Sequence, residues 1–363
     1  MRAWILLLLL PTCSIAQQSS PPPPHLLGYT EGGYVIKDFP FRSGQSLPEL
    51  RLAYVTLGTP QRDAAGQIRN AVLLLHGTGD SHESFLDADI ANFLYGPGQA
   101  LDLRKFYLVL PDALGHGKSS KPSDGLRASF PNYGYEDMVV AEYRLVTEGL
   151  GIRHLRLVMG ESMGGMHTWL WGTRYPDAMD GLVPLACYPV QIAGRNWLWR
   201  RVMIEAIRSD PEWNNGNYTK QPREWAAISG LVGAMVTSPV FLQAKYPTRA
   251  AVDARFDRNL ESTFRNDDAN DKLYAYSASK DYDPEPDLER IRAKLLAINF
   301  ADDEINPPQL GILEREMPRV KNGSFVIVPA TEKTNGHLTA GRAEFWQARL
   351  AAFMKSLGSD TTQ

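Results

Sequence analysis

A serine set between two glycines is the first feature of this chain that could do chemistry. Gly160-Glu161-Ser162-Met163-Gly164 follows the apolar run Leu155-Arg156-Leu157-Val158-Met159 and opens a second apolar stretch, Met163 to Arg174. Read as strand, turn and helix, this G-x-S-x-G lifts the Ser162 hydroxyl above the carboxyl edge of a sheet. Glycines at 160 and 164 allow a tight turn with backbone close on every side, and Gly165 adds room. The helix start favours the negative charge that an attacked carbonyl develops. The chemistry open to such a serine is nucleophilic attack on an acyl carbon.

A serine hydroxyl needs a base to take its proton. His337, in Asn335-Gly336-His337-Leu338, is the histidine that follows the last strand. His154 precedes a strand and His167 lies one turn into the serine's helix, positions that suit structural roles, though His167 could face the site. The base in turn needs a carboxylate to fix its tautomer. Ala301-Asp302-Asp303-Glu304-Ile305-Asn306-Pro307 follows a strand ending at Phe300, where such a group belongs. Asp303, four residues before Pro307, is preferred to Asp302; a helix cap or surface turn is the structural alternative. The oxyanion needs two N–H donors, each worth roughly 3 kcal/mol of transition-state stabilisation. Met163 supplies one. Thr78 in His76-Gly77-Thr78-Gly79-Asp80 supplies the other, with Gly79 the alternative, unless that segment is a plain glycine-rich turn.

The elements around these residues alternate. Tyr34 to Phe39 and Leu50 to Val55 suit an antiparallel sheet edge. Ala71 to Leu75, Phe106 to Leu110, Leu155 to Met159 and Lys294 to Phe300 are continuous apolar runs, expected of parallel strands buried on both faces. Ser324 to Val328 reads as the last strand. Helices are expected over Tyr135 to Leu150, Met163 to Arg174 and Arg342 to Leu357. This is an α/β fold with a mostly parallel, doubly wound sheet. Helical fragments and four of the eight tryptophans interrupt the rhythm over 189–289. The expected division is a leader at 1–16, a proline-rich linker at 17–30, core at 31–188, a helical cap at 189–289, and core again at 290–358. A cap inserted there emerges at the carboxyl edge and covers Ser162. Its Trp197, Trp199, Trp213 and Tyr218 are candidates for an acyl pocket; packing of the cap is their other fate.

Composition narrows the function classes. The 363 residues are 44% hydrophobic and 22% charged, which is globular rather than disordered or fibrous. A net charge of −3 without a basic run argues against nucleic acid. Arg2, the run Trp4 to Leu10 and Ser14-Ile15-Ala16 have the layout of a secretory signal cleaved after Ala16, so a secreted or periplasmic location is expected. Seven apolar residues are too few to span a bilayer, and no stable membrane insertion is expected. Cys13 leaves with the leader and Cys187 remains as a small buried hydrophobe. No Cys/His cluster has metal-ligand spacing, and neither a metal nor an organic cofactor is expected.

The residues resemble the α/β-hydrolase superfamily, and within it the branch containing homoserine O-acetyltransferase. Gly160 to Met166, Leu52-Ala53-Tyr54-Val55-Thr56-Leu57-Gly58, Gly79-Asp80-Ser81-His82 and Asp210 to Tyr218 carry the likeness. The resemblance implies a triad in the order Ser162, Asp303, His337, a small-molecule acyl substrate, and a capped fold that can dimerise through its cap helices. Departures are also visible. The family's acetyltransferases hold the amino-acid carboxylate with an arginine six residues before the Asp-Pro pair, and here that position is Ile204. Arg200, Arg201 and Arg208 are the candidate substitutes. Asp112-Ala113-Leu114-Gly115-His116-Gly117-Lys118-Ser119-Ser120 has the form found in ordinary hydrolases. With the leader, this favours a secreted serine hydrolase that passes the acyl group to water. An acyltransferase with an acyl-CoA donor is the alternative, and a non-catalytic binding protein on the same scaffold a further one.

Overall fold

The computed structural model describes residues 26–358. The expected leader, Cys13 and most of the proline-rich linker lie outside the described residues. Strands β1 (Thr30–Pro40) and β2 (Ser46–Leu57) pair antiparallel, with Tyr34 opposite Leu52. β1 therefore takes up the last residue of the expected linker, because Thr30 pairs with Thr56. Six further strands follow: β3 (Ala71–Leu75), β4 (Tyr107–Pro111), β5 (Leu155–Glu161), β6 (Met179–Leu185), β7 (Lys294–Phe300) and β8 (Gly323–Val328). The sheet order is β1-β2-β4-β3-β5-β6-β7-β8, antiparallel as far as β4 and parallel from there to β8.

The apolar strand runs have a direct physical origin. Leu73, Val109, Val158 and Leu182 face one layer, against Tyr135, Trp169 and Trp171. Their neighbours Val72, Leu108, Leu157 and Val183 face the other, against Leu94, Trp346 and Leu350. Alternate side chains thus enter two different cores, so neither face has a use for polar residues.

Helices α1 (Ala88–Leu94), α2 (Tyr135–Arg144) and α3 (Met163–Arg174) come before β6. Between β6 and β7 the regular elements are helices only: α4 (Gly194–Ser209), α5 (Glu224–Met235), α6 (Pro239–Lys245), α7 (Arg249–Asn266) and α8 (Ala269–Ala278). They share a core of their own around Met203, Ile204, Trp225 and Leu273. A short α9 (Ile312–Glu316) and the closing α10 (Gln347–Ser356) complete the chain. Two helices differ from expectation. α2 ends at Arg144 and runs on as one wide turn over Leu145–Gly149. α10 starts five residues late, because Trp346 donates its indole N–H to the Ala340 carbonyl at 3.0 Å and holds the preceding residues in tight turns.

Candidate active site

β5 ends at Glu161 and α3 begins at Met163, which leaves Ser162 alone to turn the chain. Its φ of 52° and ψ of −110° are a conformation that non-glycine residues rarely adopt. The surroundings force it. The Ser162 N–H donates to the Leu185 carbonyl at 2.9 Å, and the Gly164 N–H to the His76 carbonyl at 3.0 Å. A Cβ on Gly164 would overlap the Leu75 carbonyl oxygen, and one on Gly165 would lie 2.7 Å from the buried Cys187 sulfur. The elbow is therefore clamped between the ends of β3, β5 and β6, and strain of this kind marks functional turns.

His337 and Asp303 meet Ser162 there. His337 Nε2 lies 2.8 Å from Ser162 Oγ, and Nδ1 lies 2.9 Å from Asp303 Oδ2. The carboxylate fixes the tautomer: Nδ1–H donates to Asp303, leaving Nε2 to accept from the serine hydroxyl. Asp303 also accepts backbone N–H bonds from Ile305 and Asn306 and a side-chain bond from Asn306. Burial by itself would push this carboxyl up. The charge and hydrogen bond of His337, with the Asn306 donors, outweigh it and hold Asp303 below its ordinary range. His337 moves the other way. Burial favours its neutral form, but Asp303 and then Glu161 raise it above the ordinary histidine value.

Asp302 does a different job. Its Oδ2 accepts from Thr334 Oγ1 at 2.8 Å and from the Gly336 N–H at 3.1 Å, bracing the loop that carries His337. Four of the five other described histidines are tied elsewhere by both or one of their ring nitrogens. His76 bonds the Gly77 carbonyl and the Ala113 N–H. His82 pairs with Asp112 at 2.7 Å, and His167 with the buried Glu142 at 2.8 Å, so His167 does not face the site. His154 sits at the surface on Asp180.

A cavity of about 450 Å³ opens over Ser162, with Gly77, Thr78, Trp199, Arg200 and Glu161 in its walls. Met163, as first residue of α3, has an N–H without an intrahelical acceptor. Thr78 lines the cavity, its buried Oγ1 without a partner. Of the four cap aromatics, only Trp199 lines this cavity. Trp197 belongs to a separate cleft beside Arg42 and Arg208. Trp213 and Tyr218 serve the cap itself: the Trp213 indole donates to Asn270 Oδ1 at 2.8 Å, and Tyr218 accepts from the Asn270 N–H at 3.2 Å. The expectation of a four-residue pocket is corrected to one residue.

Three side chains near Ser162 escaped the sequence reading, wholly or in part. Glu161 is the variable residue before the nucleophile, and its carboxyl faces the cavity. Burial, then the charge of Asp80, pushes it up to about 7. Asn306 gave no signal beyond its place near Pro307. Arg200 was one of three candidate arginines. It is 2% exposed, stacks on Trp199 with its guanidinium 4.8 Å from the ring centre, and lines the cavity. Arg201 and Arg208 instead pair with Glu205 outside the cavity. Among the described residues no group of three metal-ligating side chains converges.

Comparison with known proteins places this geometry. The α/β hydrolase fold family model matches residues 70–316. Homoserine O-acetyltransferase of Pelobacter propionicus is 32% identical over 73% of this chain and 80% of its own length. The Methanohalobium evestigatum protein of the same name is 28% identical over 86% of this chain and 70% of its own. Among solved structures the acetyl esterase MekB superposes with a TM-score of 0.78 at 24% identity, covering 90% of this chain and 97% of its own, which shows the shared fold. The curated relatives carry an acyltransferase name, and this overturns the expectation of a hydrolase with water as acceptor. The chain belongs to the α/β-hydrolase fold family, in the branch that resembles homoserine O-acetyltransferase.

Proposed function

We propose that this protein is an acyltransferase of the homoserine O-acetyltransferase type, moving an acyl group from an acyl-CoA thioester to the hydroxyl of a small acceptor. The observation that carries the reading is the 32% identity to a homoserine O-acetyltransferase across 80% of that protein. Ser162 hydrogen-bonded to His337 gives it a chemical means.

In this reading His337 Nε2 takes the Ser162 proton as Oγ attacks the thioester carbonyl. The oxyanion rests on the Met163 and Thr78 N–H groups. The C–S bond breaks, the CoA sulfur leaves with the proton from His337, and the acyl group remains as an ester on Ser162. The acceptor hydroxyl then gives its proton to His337 and attacks that ester. Ser162 recovers its proton as the new ester departs. Asp303 stays ionised throughout and stabilises the imidazolium.

The test follows CoA release from acetyl-CoA with and without homoserine or serine. Release that depends on the acceptor, with a transient acetyl group on Ser162, supports the reading. Release at the same rate without acceptor overturns it. A homodimer through the cap belongs to the same proposal, supported by exposed Leu198, Leu231 and Val240 on its helices. Sedimentation of the intact chain tests it.

A further inference from the structure

Beside the reaction cavity lies a second one, of about 390 Å³, that the proposed mechanism does not use. Its walls are mostly apolar, with Met166, Val190, Ile192, Leu310 and Ile312 among them. The polar groups nearby are spent within the protein. The Tyr188 hydroxyl donates to the Asn306 carbonyl at 2.9 Å, and the Tyr282 hydroxyl to the Tyr188 carbonyl at 2.7 Å. Asn306 Nδ2 donates to the Ala186 carbonyl at 2.8 Å. A hollow of this size and lining suits the hydrocarbon part of a small molecule.

The second cavity touches the catalytic parts on two sides. Met166 lies one turn beyond the nucleophile on α3, its N–H donating to the Ser162 carbonyl at 2.9 Å. Ile305 belongs to the loop of the catalytic acid. It is the residue shared by the walls of both cavities. Its side chain is 6% exposed and packs in the cap core with Trp199 and Tyr276. Its backbone N–H donates to Asp303 Oδ1 at 2.8 Å, and the next N–H reaches the same oxygen at 3.1 Å. A β-branched side chain has little freedom about its first torsion. Ile305 therefore cannot swing aside by rotating its side chain, and shifting its backbone loosens the carboxylate that orients His337.

We propose that Ile305 sets the length of the acyl group carried on Ser162. It stands as a partition that stops a short acyl chain in the reaction cavity, and the apolar hollow beyond it receives the tail of a longer chain once the partition is cut back. The inference rests on the acyl-enzyme of the acyl-transfer reading and concerns the donor's acyl group alone. A single methylene in such a pocket is worth 10–200-fold in discrimination, so one buried isoleucine suffices for the task.

The experiment measures kcat/KM of the full chain for p-nitrophenyl acetate and octanoate, and for acetyl- and octanoyl-CoA with homoserine as acceptor. Acylation of Ser162 is followed by intact mass. The wild type is expected to favour acetyl over octanoyl at least tenfold. Ile305→Ala is expected to raise the octanoyl-to-acetyl ratio at least tenfold. Adding Ile192→Trp, which fills the second cavity, is expected to bring the ratio back within threefold of wild type. Should either variant not fold, Ile305→Val gives a smaller rise in the same direction, and Leu310→Trp fills the hollow from its outer wall. A wild type that takes both chains equally, a ratio unmoved by trimming Ile305, or a gain that survives filling the second cavity would each overturn the partition. If the ester pattern holds but neither thioester acylates Ser162, the partition stands and the acyl-CoA reading falls. If transfer from CoA proceeds with a ratio that Ile305 does not alter, transfer stands and the partition falls. No acylation of Ser162 by any of the four donors overturns both.

Discussion

Asn306 grips Asp303 at both carboxylate oxygens, its backbone N–H on Oδ1 and its side-chain Nδ2 on Oδ2, each at 3.1 Å. The same Nδ2 donates to the Ala186 carbonyl at 2.8 Å, so one amide ties the acid's loop to the chain just beyond β6. Hydrogen bonds to a charged group are worth about 1.5–3 kcal/mol each. Asn306→Ala is expected to lower kcat/KM for acyl transfer at least tenfold and to reduce Tm. Steady-state kinetics beside a thermal melt checks this; a lower Tm at unchanged kcat/KM would make Asn306 purely structural.

The pH dependence follows from the His337–Asp303 pair. His337 must be neutral to take the serine proton. Its partners favour the charged form, so neutrality is reached only at a pH above its ordinary 6.5. The acid limb of kcat/KM is expected to lie above that value. Asp303→Asn removes the largest stabiliser of the imidazolium and should move the limb down. It should also cut kcat by about four orders of magnitude, because the tautomer is no longer fixed. A pH–rate profile of both proteins decides it, and an unmoved limb would assign the titration to another group.

Glu161 makes the opposite kind of prediction, about stability. Its ordinary value of 4.5 is pushed up to about 7 in the fold. Between those values the folded protein keeps a proton that the unfolded chain has released, so stability falls as pH rises through that window. Glu161→Gln removes the dependence. The variant should be more stable than wild type by about 3 kcal/mol at pH 8 and equal to it near pH 4. Urea unfolding at the two pH values measures the difference; a gain that is the same at both would refute the assignment.

Trp199 is set apart from Trp197, Trp213 and Tyr218 by its contact with the cavity. Trp199→Ala should change the ratio of kcat/KM for a long over a short acyl donor by more than about tenfold, within the range a few methylenes are worth in a pocket. Trp213→Ala should leave that ratio within twofold and lower Tm, since its indole holds Asn270. Parallel kinetics with acetyl- and hexanoyl-CoA test both, and a matching change of ratio in the two variants would sink the distinction.

The parts of this molecule that were legible in the sequence are those where backbone demands select residue types. β7 over Lys294–Phe300 and α3 over Met163–Arg174 match expectation because double burial and an elbow leave local marks. Asp303 was legible from its distance to Pro307. The walls of the cavity were not. Trp197 and Trp199 are two residues apart on α4, about 200° around the helix, so they look in different directions. Nothing local says which of them faces Ser162, because that is settled by how α4 docks on α8, where Trp199 meets Tyr276 edge to face at 5.2 Å. Glu161 and Arg200 likewise acquire their meaning only when β5 and α4 are brought to one cavity.

Cys187 lies behind the nucleophile, wholly buried, with the backbone of Gly165 against its sulfur. Burial pushes its thiol well above the ordinary range, so no thiolate forms and no reagent reaches it while the sheet is closed. The protein thus carries an internal clock. Modification of Cys187 by a thiol dye, located by peptide mapping, can proceed only as fast as the centre of the sheet opens. Its rate reports the lifetime of the closed molecule directly, and a ligand seated over Ser162 slows that clock in proportion to the opening it prevents.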